Sequence, residues 1–275
     1  MSLRSVRVVK EMKKLFVEGQ VTRSSAALSY YLTISVFPFL VCVSAILGSL
    51  EVYEMNAFAF LADAIPNEAF SVIKDFFGYA GRNRSELLVI IGIIATLTSS
   101  SAAFRSFTGI MGEIQGEMRF TGIWKGIVSI VFSIVFMVVI YASALIILSG
   151  GWLMQILETY FGLTELLALW AWIRFVILFL LLFIIIFGVY LISAPRETKR
   201  TQRLPGAFAA SIVLVVASLL FSRLISVSLR FELLYGSLAS FVILMVWLYL
   251  CGIILIMGNV LNIALNKHRP KPFSA

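Results

Sequence analysis

The sequence predicts an all-α polytopic membrane protein. Six transmembrane helices follow an N-terminal amphipathic helix, with short amphipathic helices in the first outer loop. Three observations predict this. Hydrophobic residues fill 61% of the 275 positions and charged residues only 13%, against about 45–50% and about 25% in soluble chains. The apolar runs each exceed ~20 residues, the length a helix needs to cross a ~30 Å hydrocarbon core. Lys and Arg gather in alternate connections, as expected of a chain that weaves across a bilayer. A membrane β-barrel would alternate apolar and polar residues over ~10-residue segments instead.

Residues 1–25 read as a basic cytoplasmic segment. In "RSVRVVKEMKKLFVE", Val8, Val9, Met12, Leu15 and Phe16 recur at helical spacing, while Arg4, Arg7, Lys10, Lys13 and Lys14 fill the other face. The pattern fits a helix lying on the inner membrane surface. The six spans are expected at about 26–50, 87–112, 127–149, 168–192, 207–228 and 235–265, forming one transmembrane domain over 26–265. A basic tail, 266–275, closes the chain. With the N-terminus inside, sixteen of the 22 Lys and Arg fall on the cytoplasmic side. Both termini are therefore expected in the cytoplasm of a bacterial cell, with the spans in its inner membrane.

The longest outer segment is 51–86. There "MNAFAFLADAI" and "NEAFSVIKDFFGYA" suggest two short amphipathic helices separated at Pro66. Cys42 and Cys251 both lie inside apolar runs and read as small buried hydrophobes. The single histidine, His268, sits in the basic tail. "VSA" at Val43–Ala45 faintly resembles a signal cleavage site, but the apolar run before it is too long for a signal peptide and more spans follow.

Polar groups inside the spans are the functional pointers, because each costs energy in hydrocarbon. The same groups also serve as interhelical glue. In span one, Tyr30 and Tyr31 suit an aromatic belt at the inner interface. Pro38 removes a helix hydrogen bond at mid-span, and a break there would expose backbone to a cavity. In span two, "TLTSSSAAFRS" puts Thr96, Thr98, Ser99, Ser100 and Ser101 about halfway through, with Arg105 after them. These hydroxyls line a passage, pack against neighbouring helices, or bond back to their own helix.

In span five, Ala207, Ser211, Ser218, Ser222 and Ser226 form one small-residue stripe suited to close packing. Arg174 and Arg223, near the outer ends of spans four and five, are candidates for an anionic headgroup, or simply interfacial anchors. In span six, Asn259, Asn262 and Asn266 share one face at i, i+3 and i+7. They cap or bond neighbouring helices, or line an inner vestibule.

Several stretches in order resemble the YihY family, also called virulence factor BrkB. They are "AALSYYLTISVFPFL", "SSSAAFRSF", "RLPGAFAASIVLVVASLLFS" and "YGSLASFVILMVWLYLCGIILIMGNVLN". The likeness covers nearly the whole chain. It implies a six-span inner-membrane protein linked to envelope function, some of whose members once carried the label ribonuclease BN. One departure falls in the closing motif, where the family usually has Gly-Ala-Glu-Leu-Asn. Here Asn259 and Val260 stand where the alanine and glutamate would be.

A transporter or lipid translocase is the expected function, with membrane lipids as partners and an anionic lipid or small solute as substrate. The substrate-path candidates are Tyr30, Tyr31, Pro38, Ser99, Ser100, Arg105, Asn259 and Asn262. A non-transporting envelope-assembly scaffold is the alternative. No enzyme activity, nucleic-acid partner, metal or cofactor is expected. Nuclease chemistry needs an acid–base pair or clustered metal ligands; Glu113 and Glu117 stand one helical turn apart without further ligands. No Gly-rich phosphate loop of the Lys-Ser/Thr type is present.

Overall fold

A computed structural model describes residues 3–49, 86–161, 165–195, 197–227 and 237–267. Among these residues the chain forms seven α-helices and no strand: α1 (Leu3–Glu18), α2 (Val21–Ser49), α3 (Glu86–Gln115), α4 (Gly122–Phe161), α5 (Glu165–Ser193), α6 (Leu204–Val227) and α7 (Ser237–Lys267). A short 3₁₀ turn, Arg200–Gln202, precedes α6. The two amphipathic helices expected over 51–86, and the tail beyond 267, lie outside the described residues.

Five segments of the described residues are long and apolar enough to cross a membrane: Ile90–Gln115, Gly122–Ile140, Phe175–Ser193, Arg200–Phe221 and Phe241–Lys267. They carry the second to sixth expected spans. The first lies in α2, most of whose side chains beyond Pro38 are outside the description. Helix ends differ modestly from expectation except in α4, which runs 40 residues where about 127–149 was expected. The segment read as an outer loop from 150 is helical to Phe161. It holds no Lys, Arg or Pro, and without proline no backbone donor is missing from the helix.

The chain divides into two compact units. One comprises Met1–Thr33, Ser101–Ser129 and Leu182–Ala275; the other comprises Ile34–Ser100 and Ile130–Leu181. In the second unit, α2 passes through Pro38 without interruption. This corrects the expectation of a broken first span. Proline removes one donor, but a full break would strand several backbone groups where no water can reach them. Apolar side chains such as Ile90, Ile94, Val135, Val138 and Val176 are exposed, as lipid-facing residues are in a chain without its bilayer.

In the first unit the core gathers Leu28, Phe107, Met111, Tyr190, Ile256 and Val260. Helix α1 forms as its periodicity predicts, and part of its apolar stripe turns inward while Val9 stays exposed. Val8 is buried, and Met12, Leu15 and Phe16 pack against the core cluster. Val8, Met12, Leu15 and Phe16 thus cover protein, and α1 rests along α7. Lys267 reaches back to Glu11 at 2.6 Å.

Helices α6 and α7 approach closely where two glycines meet. A Cβ on Gly206 would stand 2.0 Å from the Gly258 carbonyl oxygen, and one on Gly258 would stand 2.4 Å from the Tyr190 hydroxyl. Small residues at such crossings let backbones touch and gain dispersion contacts that lipid cannot offer. The small-residue stripe of α6 is buried at Ala207 and Ser211 but exposed at Ser218. Among the described stripe residues, the buried ones are thus those in the N-terminal turns of α6.

Candidate functional site

Helix α6 begins at Leu204-Pro205-Gly206, preceded by Arg203. Pro205 suits the first turn because it brings no amide hydrogen to satisfy. The position before the helix holds no Ser, Thr, Asp or Asn to cap the remaining first-turn donors. Asn262, on α7, supplies the cap from outside. Its Oδ1 accepts from the Gly206 N–H at 2.7 Å, and its Nδ2 donates to the Arg203 carbonyl at 3.0 Å. Asn262 is 2% exposed, so both bonds replace interactions that water cannot provide.

Arg203 does for the end of α5 what Asn262 does for the start of α6. Its Nη1 donates to the Leu191 carbonyl at 2.7 Å, and its Nη2 donates to the carbonyls of Pro195 at 2.9 Å and Thr198 at 2.8 Å. The last four carbonyls of a helix have no partner within it, and the negative end of its dipole favours a cation. Arg119 Nη1 also donates to the Leu191 carbonyl, and its guanidinium lies over the Phe120 ring, 5.4 Å from the centroid. Tyr190, fully buried, donates to the Leu255 carbonyl of α7 at 2.6 Å and stacks on Phe107 of α3.

These ties frame an open cleft of about 390 Å³ between α1, the end of α3, the α5–α6 connection and the end of α7. Glu11, Gln115, Arg203, Asn259, Asn266 and Lys267 contribute polar groups to its walls, and Asn262 lines it too. Asn259 is 1% exposed and its Nδ2 has no hydrogen-bond partner; the same holds for Arg203 Nε and Gln115 Oε1. An unpaired buried donor or acceptor costs ~1–3 kcal/mol, so three around one cleft mark it out. A second cavity, of about 570 Å³, lies at the α1–α2 corner beside α3. Its walls include Glu18, Arg23, Ser106 and Glu113.

Of the residues singled out in the sequence, the structure brings Asn259 and Asn262 together on the cleft. Tyr30 and Tyr31 pack edge to face, with ring centroids 5.5 Å apart, and both remain exposed. Arg105 is half-buried on α3. Tyr30, Tyr31 and Arg105 are not among the residues lining this cleft. In the other unit, Pro38 is half-buried within the continuous helix. Ser99 and Ser100, also half-buried, donate to the carbonyls of Ala95 and Thr96, each at 2.6 Å. Arg223 is exposed on α6; the Arg174 side chain lies outside the described residues. Val260, at the position of the usual family glutamate, is fully buried among apolar side chains.

Sequence reasoning missed Arg203, Tyr190, Arg119 and Gln115. Arg203 and Arg119 had counted only toward charge asymmetry. One signal was available for Arg203 and its surroundings. A helix that opens with Leu-Pro-Gly and no capping side chain needs a tertiary partner at its start.

Among the described residues, no group of three His, Cys, Asp or Glu stands close enough to hold a metal ion. Comparison with known proteins places the chain in a family context. The family model described as virulence factor BrkB matches residues 13–274. A protein of Bacillus subtilis (strain 168) named putative ribonuclease-like protein YfkH is 28% identical over 257 residues, 93% of each chain. A UPF0761 membrane protein of Stenotrophomonas maltophilia is 22% identical over 94% of this chain and 60% of its own length. One from Aliivibrio salmonicida is 32% identical over 80 residues, 29% of this chain and 26% of its own. The chain thus spans nearly all of the Bacillus protein and only part of the other two. No solved structure matches it.

Proposed function

We propose that this chain, which belongs to the virulence factor BrkB family of integral membrane proteins, is a transporter or lipid translocase of the bacterial cytoplasmic membrane. The observation that carries the reading is the polar cleft holding Asn259, Asn262 and Arg203 at the ends of apolar helices. Polar side chains kept at such a place and partly unpaired are costly. A protein that only had to pack would gain by replacing Asn259, whose Nδ2 is unpaired, with an apolar group. The distribution of Lys and Arg supports an orientation with both termini in the cytoplasm, and under that orientation the cleft faces the cytoplasm.

The substrate is an amphiphile or small solute that engages the cleft from the cytoplasm, and membrane lipids are the first candidates. Movement follows alternating exposure of a cavity between helices. Asn259 contacts the substrate; Asn262 and Arg203 hold the cleft in shape. Tyr30, Tyr31, Ser99, Ser100 and Arg105 are further path candidates, and Arg174 and Arg223 the outer ones. The chain carries out no hydrolysis under this reading. RNA cleavage by the purified protein, lost in Glu113→Ala, would overturn that part.

Reconstitution of the purified full chain into vesicles with fluorescent lipid reporters and trapped solutes tests the proposal. The expected result is exchange of lipid between leaflets, or solute flux, well above protein-free vesicles, reduced in Asn259→Leu. Movement no faster than in empty vesicles would sink it.

A scaffold for envelope assembly is the second reading, and the Gly206–Gly258 crossing favours it. Close backbone contact of this kind makes a rigid bundle. Under that reading vesicles show no flux, and deletion of the gene disturbs the envelope through a lost partner.

A further inference from the structure

We propose that the cleft between α1, the end of α3, the α5–α6 connection and α7 binds a phosphate-type oxyanion that carries a hydroxyl beside it. The proposal rests on the transport reading above and names the ligand class for that same site. Two donors on the cleft's walls have no acceptor, Arg203 Nε and Asn259 Nδ2, and their residues are 3% and 1% exposed. They come from different elements, so no local turn forces them together. Native proteins leave few such groups unpaired.

The guanidinium is held in place by its own structural bonds. Both Nη atoms are committed to carbonyls, which leaves the Nε edge for a ligand in a fixed direction. Planar, pre-set donors of this kind match phosphate oxygens. Gln115 Oε1, an acceptor in the same wall, also lacks a partner. It calls for a hydrogen-bond donor on the ligand, hence the hydroxyl.

Charge narrows the class further. Lys267 and Arg203 bring two cations to the cleft and Glu11 one carboxylate. Arg119 and Arg200 stand close enough to act on Arg203 as well, so the surroundings are net positive and favour an anion such as a phosphodiester. Lys267 donates to Glu11 at 2.6 Å, and an ammonium has three donors, so this bond does not exhaust it. The unpaired atoms are closed to water in the present conformation. Ligand entry therefore shifts α1, whose ion pair to α7 is at an edge where the Lys267 side chain is 56% exposed.

The test is thermal unfolding of the purified full chain in uncharged detergent at constant ionic strength. The probes are inorganic phosphate, dihexanoyl phosphatidylglycerol and, as a control without a headgroup hydroxyl or net charge, dihexanoyl phosphatidylcholine. The phosphatidylglycerol is expected to raise the midpoint saturably, by about 5 °C near a hundredfold excess over its dissociation constant, with the control well below it. Asn259→Leu removes the donor at similar volume and weakens binding about tenfold. It leaves the ligand-free midpoint unchanged or higher, because an apolar group replaces an unpaired one. Lys267→Gln, at the exposed rim, lowers affinity in the same direction and serves where Asn259→Leu does not fold.

A shift with inorganic phosphate as well identifies a free anion as a source; a shift with the lipid alone identifies the headgroup. No saturable shift with either probe, an equal response to phosphatidylcholine, or full affinity in Asn259→Leu, would overturn the site. Binding is read here without transport. Flux without a shift would keep the translocase reading and remove this site, and a shift without flux would do the reverse.

Discussion

The hydroxyl run of α3 and the asparagine face of α7 both place polar side chains in long apolar helices, and they satisfy them differently. In the run, four hydroxyls turn back on their own helix. Thr96 donates to Gly92, Thr98 to Ile94, Ser99 to Ala95 and Ser100 to Thr96, at 2.6–2.9 Å. Such bonds need no neighbour and add little specificity. On α7, Asn262 bonds across to the first turn of α6, and Asn259 is buried with a donor left over. A hydroxyl is short enough to reach the carbonyl one turn back. An amide is longer, carries both donor and acceptor, and suits a tertiary contact. The density of polar residues is therefore a poor guide to where a membrane protein spends its specificity; the type of polar group is a better one.

Substitutions can break that contrast, and the largest effect is expected at Asn262. Asn262→Ala strands the Gly206 N–H and withdraws a donor from the Arg203 carbonyl, both buried. It should cost ~3–4 kcal/mol, seen as a fall in the unfolding midpoint of the protein in micelles. Gly206→Ala comes next. The new Cβ meets the Gly258 carbonyl oxygen at 2.0 Å, so α6 and α7 must separate, at ~3 kcal/mol. The same assay reads it, and a cysteine pair placed across the crossing should crosslink more slowly.

Tyr190→Phe removes one bond at 2.6 Å and leaves the ring stacked on Phe107. The Leu255 carbonyl keeps its place in the helix ladder, so the loss should be ~1 kcal/mol. The smallest effect sharpens the contrast from the other side. Ser99→Ala and Ser100→Ala remove only back-bonds and should change stability by less than ~0.5 kcal/mol. A large loss of stability there would show that the run holds the fold together after all. If instead stability is kept and vesicle flux falls, those hydroxyls work as path residues.

Much of the architecture was legible in advance because membrane crossing is a one-dimensional constraint. Length and apolar content put the helices α3, α5, α6 and α7 within a few residues of where the chain forms them. The excess length of α4 was not legible, since nothing in Gly150-Gly151 announces whether the helix runs on past them. Nor does a proline by itself say whether a span unwinds, and at Pro38 the helix runs on. In α1 the periodicity gave the helix and its apolar stripe, but a stripe fits lipid and protein equally well. Contact with α7 and the core takes up Val8, Met12, Leu15 and Phe16, while Val9 stays exposed.

The candidate site divides along the same line. Asn259 and Asn262 stood out because three asparagines on one apolar helix face are costly and periodic. Arg203 and Gln115 did not, since a basic connection already explains an arginine and the end of a helix explains a glutamine. By itself the sequence determined that the chain is a helical membrane protein, which segments are apolar, and which polar residues need an explanation. Only the tertiary structure decided which neighbour satisfies each of them. A hydrogen bond between residues 56 apart is set by how two helices cross, and the pattern along either helix carries no record of that crossing.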